Sequence, residues 1–356
     1  MSKPKKQKTK RRFFTPKRLF VLLLIIAILV MGAWLALRTA IVKGAEIGIG
    51  NMEAQGYQIA HGGLNVGGFP LSINATSSDI SVQAPSGAQD DLSKNWSVKL
   101  SDLNFGTATV TPLSWQIRHR GDMRVDMRGA GGERYMFDIT PAKIDARGAV
   151  NFKGKLKAAQ IDIGKATINP LVGTPPPILG AKDTHIDVKI SGANAKLDIN
   201  AHDVVISDKA MGLMDEVLGT RLDEVLGTRL SQASLTMAIE NWAELETNGP
   251  EAWKENGGRL TSDNWIVHWG KVDFIGDFDV YFKDGLPEGA VHVRAKNGQD
   301  LVRALYEVDM IDSMWQQILN DQIANFVLDK DDRGLVTFSI RKGVVKWGVI
   351  PIYTFE

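Results

Sequence analysis

Two different spacings of apolar residues divide the chain. Residues 19–37 form a continuous apolar run without a charged side chain. As a helix this run is about 28 Å long, close to the hydrocarbon thickness of a bilayer, about 30 Å. Beyond residue 56, apolar residues recur instead at every second position. We therefore predict a transmembrane helix over residues 19–38, a helical stalk over 39–55 and a β-rich domain over 56–356.

The alternation after residue 56 predicts strands with one apolar and one polar face. Side chains at i and i+2 share a face of a strand, and the sequence shows this pattern in Ile186/Val188/Ile190, Val272/Phe274, Phe278/Val280/Phe282 and Val336/Phe338/Ile340. Gly, Asn, Asp or Pro separates most of the predicted strands, as hairpin turns require. The predicted fold class is mainly β: a large curved antiparallel sheet, either a groove or an open barrel, with a few chiefly C-terminal helices at 249–257, 298–308 and 311–328.

Two stretches interrupt the series of strands. Pro175, Pro176 and Pro177 form a stiff segment between Gly173 and Gly180, which predicts a boundary between two halves near 173–180. The octapeptide DEVLGTRL occurs at 215–222 and again at 223–230. Perfect identity of the two copies favours a tandem insertion tolerated in an exposed loop.

Charge around the apolar run predicts the topology. Nine Lys or Arg residues precede the run, and Arg38 and Lys43 follow it closely. This asymmetry keeps residues 1–18 in the cytoplasm and exports the rest, which predicts a bacterial inner-membrane anchor with a periplasmic domain. A cleaved signal sequence is the alternative, but its apolar core is shorter and ends at a small-x-small site. Because the basic tail lies beside a membrane span, we interpret it as setting the membrane topology and contacting anionic lipid rather than as binding nucleic acid.

The composition and motifs do not favour an enzyme. The chain has no cysteine, which excludes disulfides, thiolate chemistry and Cys-based metal sites. Its six histidines lack zinc-protease spacing, and it has no Gly-x-Ser-x-Gly elbow or phosphate-binding loop. The stretch DKDDRG at 329–334 suggests a calcium loop, but Ile340 stands where the loop needs its last glutamate. We predict no catalytic residue, no metal and no cofactor.

A group of arginines offers a candidate contact for lipid head groups. Guanidinium groups bind phosphate and carboxylate well, and several lie on neighbouring predicted strands, namely Arg118, Arg120, Arg124 and Arg128, with Arg134 and Arg147 nearby. The alternative is cross-strand ion pairing with the aspartates of the same region, Asp122, Asp126, Asp138 and Asp145.

Three stretches of the chain carry a family resemblance. They are the Gly56-Tyr57 entry with the Gly68-Phe69-Pro70 step and Ala84-Pro85, the stretch WKENGGRLTSDNWIVHWGKVDFIGDF with the following Pro-Glu-Gly turn, and the ending GVVKWGVIPIYTF. Together they resemble a membrane-anchored alphaproteobacterial family, domain of unknown function family 2125, over residues 56–355. The resemblance implies an outline similar to AsmA-like envelope proteins, several of which are implied in lipid movement. It supplies no catalytic residues.

The alternating strands and the resemblance together indicate a lipid-handling function. Pro70 cannot donate to a strand ladder, and Gly67 and Gly68 permit a kink, so we expect one long strand to bend there and place Phe69 and Leu71 near the inner surface. The predicted ligand is a lipid acyl chain along the apolar face, contacted by Phe69, Leu71, Ile73, Phe274, Phe278, Val280, Phe338 and Ile340. The alternative is an adaptor protein of the envelope that fills the same face with its own side chains. Alternation alone does not distinguish the two.

Overall fold

The computed structural model of the protein describes residues 16–87, 94–128, 133–141, 143–152, 154–173, 175–212, 226–296, 313–314, 317, 334–348 and 350–354. The first element is helix α1, Pro16–Ala54. Within the described residues it is the helix long and apolar enough to cross a membrane, and its apolar part is not buried in the protein. The many Leu and Ala residues of the run favour such a helix because these side chains lose little rotamer freedom in it.

The second half of α1 packs along the sheet. Half-buried residues recur on one face of the helix, three or four positions apart, at Trp34, Leu37, Ile41, Ala45, Ile49 and Met52. This face contacts strands β1 (Gln58–Ala60) and β3 (Ser72–Gln83). Residues 39–55, predicted as a stalk, are therefore helical up to Ala54 and lie against the sheet.

A large antiparallel sheet follows α1, as predicted. Its first ten strands include β1 and β3, and the others are β2 Asn65–Gly67, β4 Ser97–Ala108, β5 Thr111–His119, β6 Met123–Arg128, β7 Arg134–Pro141, β8 Ile144–Val150, β9 Leu156–Ile163 and β10 Ala166–Val172. The next nine are β11 Ile178–Ser191, β12 Asn194–Ile206, β13 Arg229–Glu240, β14 Arg259–Trp269, β15 Val272–Lys283, β16 Leu286–Lys296, β17 Gly334–Arg341, β18 Val344–Trp347 and β19 Ile350–Thr354.

The sheet divides between β4 and β11 and then closes again. Residues 97–100 of β4 pair with β6, whereas residues 104–108 pair with β5. One branch continues from β5 through β8 and β9, and the other from β6 through β7 and β10. Both branches pair with β11. From β11 to β19 each strand pairs with the next in the chain.

The register of β15, β16 and β17 gives the sheet an apolar and a polar face. Phe278 stands opposite Val291, which stands opposite Phe338; Val280 and Ile340 both stand opposite Gly289. The intervening positions are polar and form cross-strand pairs, including Asp277 with His292 and Arg294 and Asp279 with Arg259. Alternation in the sequence thus corresponds to opposite faces of the sheet.

Two packed clusters lie on the apolar face of the long strands. The first joins the ends of β12, β14 and β15 with helical residues 208–212 and comprises Ile206, Ala210, Met211, Leu226, Trp269 and Val272. The second comprises Ala195, Ile239 and Trp253. Trp253 belongs to helix α2, Trp242–Glu255, which packs on β12 and β15. Helix α2 starts earlier than the predicted 249–257 and has a kink at Gly249 and Pro250.

Other expectations from the sequence have different outcomes. The Gly-Phe-Pro step does not bend one long strand: residues 68–71 form the turn of a hairpin between β2 and β3. Strands β10 and β11, on either side of the prolines, pair in the same sheet. The octapeptide segment falls outside the described residues up to position 225, and Leu226 in its second copy is buried rather than in an exposed loop. The helices predicted at 298–308 and 311–328 lie outside the described residues except for positions 313, 314 and 317.

Candidate functional site

A large apolar cavity lies on one face of the sheet. Its volume is about 840 Å³, and strands from β6 to β15 contribute to its walls. The lining residues with large apolar side chains are Met123, Ile139, Ile144, Ile163, Ile168, Ile178, Ile199, Val204, Leu230, Leu235, Trp265, Val267 and Phe278. Small residues complete the walls, and Thr184 and Ser234 contribute the hydroxyl groups.

The position of the lining residues shows that the sheet curls around the cavity. Met123 begins β6, whereas Phe278 lies in β15, and seven strand pairings separate these strands along the branch that contains β7 and β10. On a flat sheet with about 4.8 Å between strands they lie about 34 Å apart. Both line the same cavity, so the sheet bends toward its apolar face. This agrees with the predicted curved sheet.

The division of the sheet supplies one wall of the cavity. Apolar side chains flank each place where the chain passes from one branch to the other: Met123 follows one crossing, Ile139 and Ile144 flank the second, and Ile163 and Ala166 flank the third. These residues end or begin strands that alternate regularly, so their apolar side chains continue the apolar face across the gap between the branches.

Trp265 lies over a glycine at the floor of the cavity. Trp265 in β14 stands directly opposite Gly276 in β15. A Cβ atom placed on Gly276 overlaps the indole ring of Trp265 and the carbonyl oxygen of His292. The missing side chain therefore lets the indole lie flat against the neighbouring strand, and a large apolar surface faces the cavity.

The two packed clusters bound the cavity along the strands. Leu230 and Val267 line the cavity and also pack against the cluster that contains Met211 and Trp269. Toward the other end of β12 and β13, Ala195 and Ile239 lie beneath α2. Trp253 of α2 donates a hydrogen bond from Nε1 to the Glu240 carbonyl oxygen at 2.8 Å, which fixes the helix on this end. The cavity thus lies between two packed clusters on the same face of the sheet.

The chemistry of the cavity suits an apolar ligand. Among the described residues that line it, none carries a charged side chain, so these residues offer no acid, base or nucleophile beyond two hydroxyl groups. Binding clefts for small molecules are mostly apolar and typically about 300–1,000 Å³ in volume. Among the described residues, no group of three or more His, Asp or Glu side chains is placed to hold a metal ion.

The eight residues predicted to contact a ligand fall into three groups. Phe278 lines the cavity. Phe274, Val280, Phe338 and Ile340 share its face of the sheet; Phe274 packs against the first cluster, and Ile340 is buried. The remaining three, Phe69, Leu71 and Ile73, belong to the distant β2–β3 hairpin.

The expected position of Phe69 and Leu71 near the inner surface is wrong. Their side chains are 51% and 74% exposed, whereas Ile73 is completely buried. The reason is the hairpin: residues 68–71 leave the sheet as a turn, and the alternation of faces resumes only when β3 begins at Ser72. Side chains alternate between the two faces of a sheet only within a strand. The apolar–polar alternation therefore does not predict which face of the sheet Phe69 and Leu71 lie on.

Several of the predicted head-group arginines are engaged in ion pairs. Arg124 donates two hydrogen bonds to Asp138, at 2.6 and 2.9 Å, and the pKa of Asp138 lies below its ordinary value because of these bonds. Arg118 Nε lies 3.3 Å from the buried Asp145 carboxylate. The backbone N–H of Arg120 donates to Asp102. Arg128 stands opposite Arg134 across β6 and β7, and the Arg134 side chain pairs with Asp126. The alternative of cross-strand ion pairing thus describes Arg118 and Arg124, while head-group contact stays a prediction.

Sequence reasoning missed most of the cavity walls. The sequence predicts the strands that hold Ile199, Leu235 and Trp265, because their alternation is visible. Which strands face each other across the cavity depends on the curvature of the sheet. The alternation of apolar and polar residues gives no information about that curvature. A signal in the sequence was the two tryptophans of β14 followed by the glycine-containing Phe-Ile-Gly-Asp-Phe stretch of β15.

Fold and site together define a class: a β-sheet protein with an N-terminal apolar helix of membrane-spanning length and an apolar cavity inside a curled sheet. The chain belongs to the family described as uncharacterized protein conserved in bacteria (DUF2125), whose model matches residues 34–356. No curated protein and no solved structure matches the chain.

Proposed function

We propose that this protein is an inner-membrane-anchored envelope protein that holds a lipid acyl chain in the apolar cavity, with its sheet on the periplasmic side. The observation that supports the proposal most directly is the cavity itself, which is about 840 Å³ in volume and lined by apolar side chains from ten strands. Burial of an acyl chain there is favourable because each CH₂ removed from water contributes about 0.8 kcal/mol. Such a function requires no catalysis and no cofactor.

The anchoring part of the proposal is supported by α1 and the basic tail. The helix has the length and apolar composition of a membrane span, and nine basic residues lie on its N-terminal side. Positive residues favour the cytoplasmic side, so the sheet lies on the opposite side of the membrane.

Photo-crosslinking tests whether an acyl chain occupies the cavity. The full-length protein is reconstituted in lipid nanodiscs that contain phosphatidylethanolamine with a diazirine on one acyl chain, and crosslinked peptides are mapped by mass spectrometry. We expect crosslinks both in α1, which lies in the bilayer, and in β13 and β14, which line the cavity. Crosslinks in α1 without any in the strands contradict the ligand proposal and favour an adaptor protein.

A cavity-filling substitution sharpens this test. Ala233 lines the cavity, so Ala233→Phe places a ring in the space that the acyl chain needs. We expect crosslinking to β14 to fall at least about fivefold, with crosslinking to α1 unchanged. Ala290→Phe is the matched control, because Ala290 stands opposite Asp279 on the polar face of the sheet. Equal crosslinking in both variants argues against occupation of the cavity.

A further inference from the structure

Four large apolar side chains are exposed at turns of the sheet. Leu71 and Phe69 lie on the β2–β3 turn, Val110 on the β4–β5 turn and Phe152 on the β8–β9 turn. Leu71 is 74%, Val110 83% and Phe152 96% exposed. We call these four residues the apolar turn patch. Soluble proteins expose single apolar residues commonly, but a group of them at one place indicates an interaction surface.

The strand register brings the three turns to the same end of the sheet. Ser72, directly after the first turn, pairs with Ala108, directly before the second. Strand β5 leaves the second turn and pairs with β8 so that Ser114 stands opposite Ala149, close to Phe152. The order of strands is β3, β4, β5 and β8, so the patch extends about 14 Å across the sheet.

The backbone of these turns is largely hydrogen-bonded within the protein. The carbonyl oxygens of Pro70 and Leu71 accept from the Oγ1 and N–H of Thr109, and the Gly68 carbonyl accepts from the N–H of Ser72. In the β8–β9 turn the N–H of Asn151 donates to the Lys155 carbonyl oxygen. Turns that satisfy their own backbone groups enter an apolar environment at much lower cost than turns that depend on water.

Helix α1 fixes the depth of the patch relative to a bilayer. Trp34 Nε1 donates to the Ser72 carbonyl oxygen at 3.0 Å, and the Trp34 and Phe69 rings meet edge to face at 5.4 Å. Trp34 lies inside the charge-free run that ends at Leu37, about 4.5 Å before its end at 1.5 Å per residue. The β2–β3 turn therefore stands beside the last turn of the span.

The run is too short for the turn to stay clear of the membrane. From Leu19 to Trp34 the helix rises only about 22 Å, and a bilayer core of about 30 Å needs nearly the whole run up to Leu37. Arg38, whose guanidinium lies 6.0 Å from the Trp34 ring centre, is the first charged residue after the run. Tryptophan and arginine at this position are typical of the membrane–water interface.

We propose that the apolar turn patch inserts into the lipid interface next to α1 and forms a second contact of the protein with the bilayer. The inference rests on the anchoring part of the proposed function and does not depend on a ligand in the cavity. The partner is the lipid surface itself, since the patch is continuous with the span through Trp34 and Phe69. Amphipathic helices at the interface bury their apolar face about 5–10 Å into the boundary of head groups and acyl chains, and we expect a similar depth for these turns.

Two turns at the same end of the sheet, but many strands away from β3, are not apolar. The β15–β16 turn contains Asp284 and Gly285, and the β17–β18 turn contains Lys342 and Gly343. The patch thus begins at the β2–β3 turn beside α1, whereas these two turns, many strands farther along the sheet, are polar. This difference provides an internal control for the experiment.

Site-directed spin labelling tests the proposal directly, because the natural chain has no cysteine. Single variants Leu71→Cys, Val110→Cys and Phe152→Cys of the full-length protein are labelled with a nitroxide in phosphatidylcholine–phosphatidylglycerol liposomes. Power saturation with oxygen and with a water-soluble nickel chelate reports depth in the lipid. We expect all three labels to be more accessible to oxygen than to the chelate, whereas a label at Asp284→Cys shows the reverse.

A label on α1 distinguishes failure of the apolar turn patch as a membrane contact from failure of the anchoring proposal. Leu29 is 66% exposed on α1, and Leu29→Cys should report deep burial in lipid if α1 spans the membrane. Lipid exposure at Leu29 with chelate access at any of the three turn positions overturns the apolar turn patch as a membrane contact. Chelate access at Leu29 instead overturns the anchoring part of the proposed function.

Discussion

At the scale of single residues, tryptophans packed over glycines shape the sheet. Trp265 lies over Gly276, and in the N-terminal part Trp115 stands opposite Gly148 in the same way. Glycine normally weakens a strand because it adds no packing surface and loses more entropy on folding. Here the neighbouring indole fills the space above the glycine, so the pair functions as one packed unit.

Substitution of Gly276 tests this arrangement. Gly276→Ala should lower the free energy of unfolding by about 1–3 kcal/mol, because the added Cβ forces the indole or the backbone to move. Urea denaturation of the full-length protein in detergent measures the change. Gly67→Ala is the control, since nothing lies within 4 Å of a Cβ at that strand position. Equal stability of the two variants contradicts close packing of Trp265 on Gly276.

The assignment of residues to one face of the sheet agrees with the structure where the strand alternates without interruption. Phe274, Phe278, Val280, Phe338 and Ile340 share one face as the pattern indicates. Phe69 and Leu71 do not line that face, because a tight turn resets the direction of side chains. The sequence Gly67-Gly68-Phe69-Pro70 fits a kink within one strand and a turn between two strands equally well. The pairing of Gly67 with Asn74 in the structure shows that it is a turn.

At the scale of elements, ion pairs connect neighbouring strands on the polar face. Arg259 of β14 donates hydrogen bonds from Nε and Nη2 to the two carboxylate oxygens of Asp279 in β15, at 2.8 and 2.6 Å. These bonds hold the pKa of Asp279 below its ordinary value. A depressed carboxyl pKa contributes stability above the unfolded-state value, about 3.9, and this contribution is lost as pH falls through the lower folded-state value.

The pair predicts a specific effect of acid. Arg259→Gln should lower the Tm at pH 7. The difference in Tm from the natural protein should narrow as pH falls below about 4, and it should close once pH is below the depressed folded-state pKa, where Asp279 is protonated in both proteins. Circular dichroism in detergent across pH 2–7 measures the two curves. Lys283→Gln, at the exposed end of β15, is the control. Parallel curves for Arg259→Gln and the natural protein would falsify a role of this ion pair in the acid response.

Most elements could be predicted because hairpins are local. Each strand from β11 to β16 pairs with the next in the chain, so alternation and turn residues suffice to find them. The pairings in the divided region between β4 and β11 could not be predicted. Strand β4 pairs with both β5 and β6, and besides their neighbours β7 pairs with β10 and β9 with β11. Such pairings depend on tertiary packing rather than on nearby residues.

At the scale of the whole molecule, the sheet joins the two predicted halves. Strands β9 and β10 before the Pro175–Pro177 segment both pair with β11 after it. The sequence shows only the stiff proline segment and not the pairing across it. The cavity was likewise beyond the sequence, because its walls come from strands as far apart as β6 and β15. The curvature of a sheet accumulates over many strands, so no local sequence pattern predicts it.

A joined sheet predicts cooperative unfolding. Gly148→Ala in the first half and Gly276→Ala in the second should each shift one common thermal transition to lower temperature, because both strands belong to the same hydrogen-bonded sheet. Far-ultraviolet circular dichroism and tryptophan fluorescence of the full-length protein in detergent measure the transition. Two transitions, each sensitive to one variant, contradict cooperation between the halves.

The packing of α1 along β3 has a mechanical consequence. From Trp34 beside Ser72 to Ala54 near the start of β1, the helix is attached to the body of the protein. Helix α1 is thus not joined to the sheet through a flexible linker, because its second half packs directly on the sheet. If α1 spans a bilayer as proposed, this attachment holds the sheet at a fixed height and tilt above the membrane surface, and a lipid must move that distance out of the bilayer to reach the cavity.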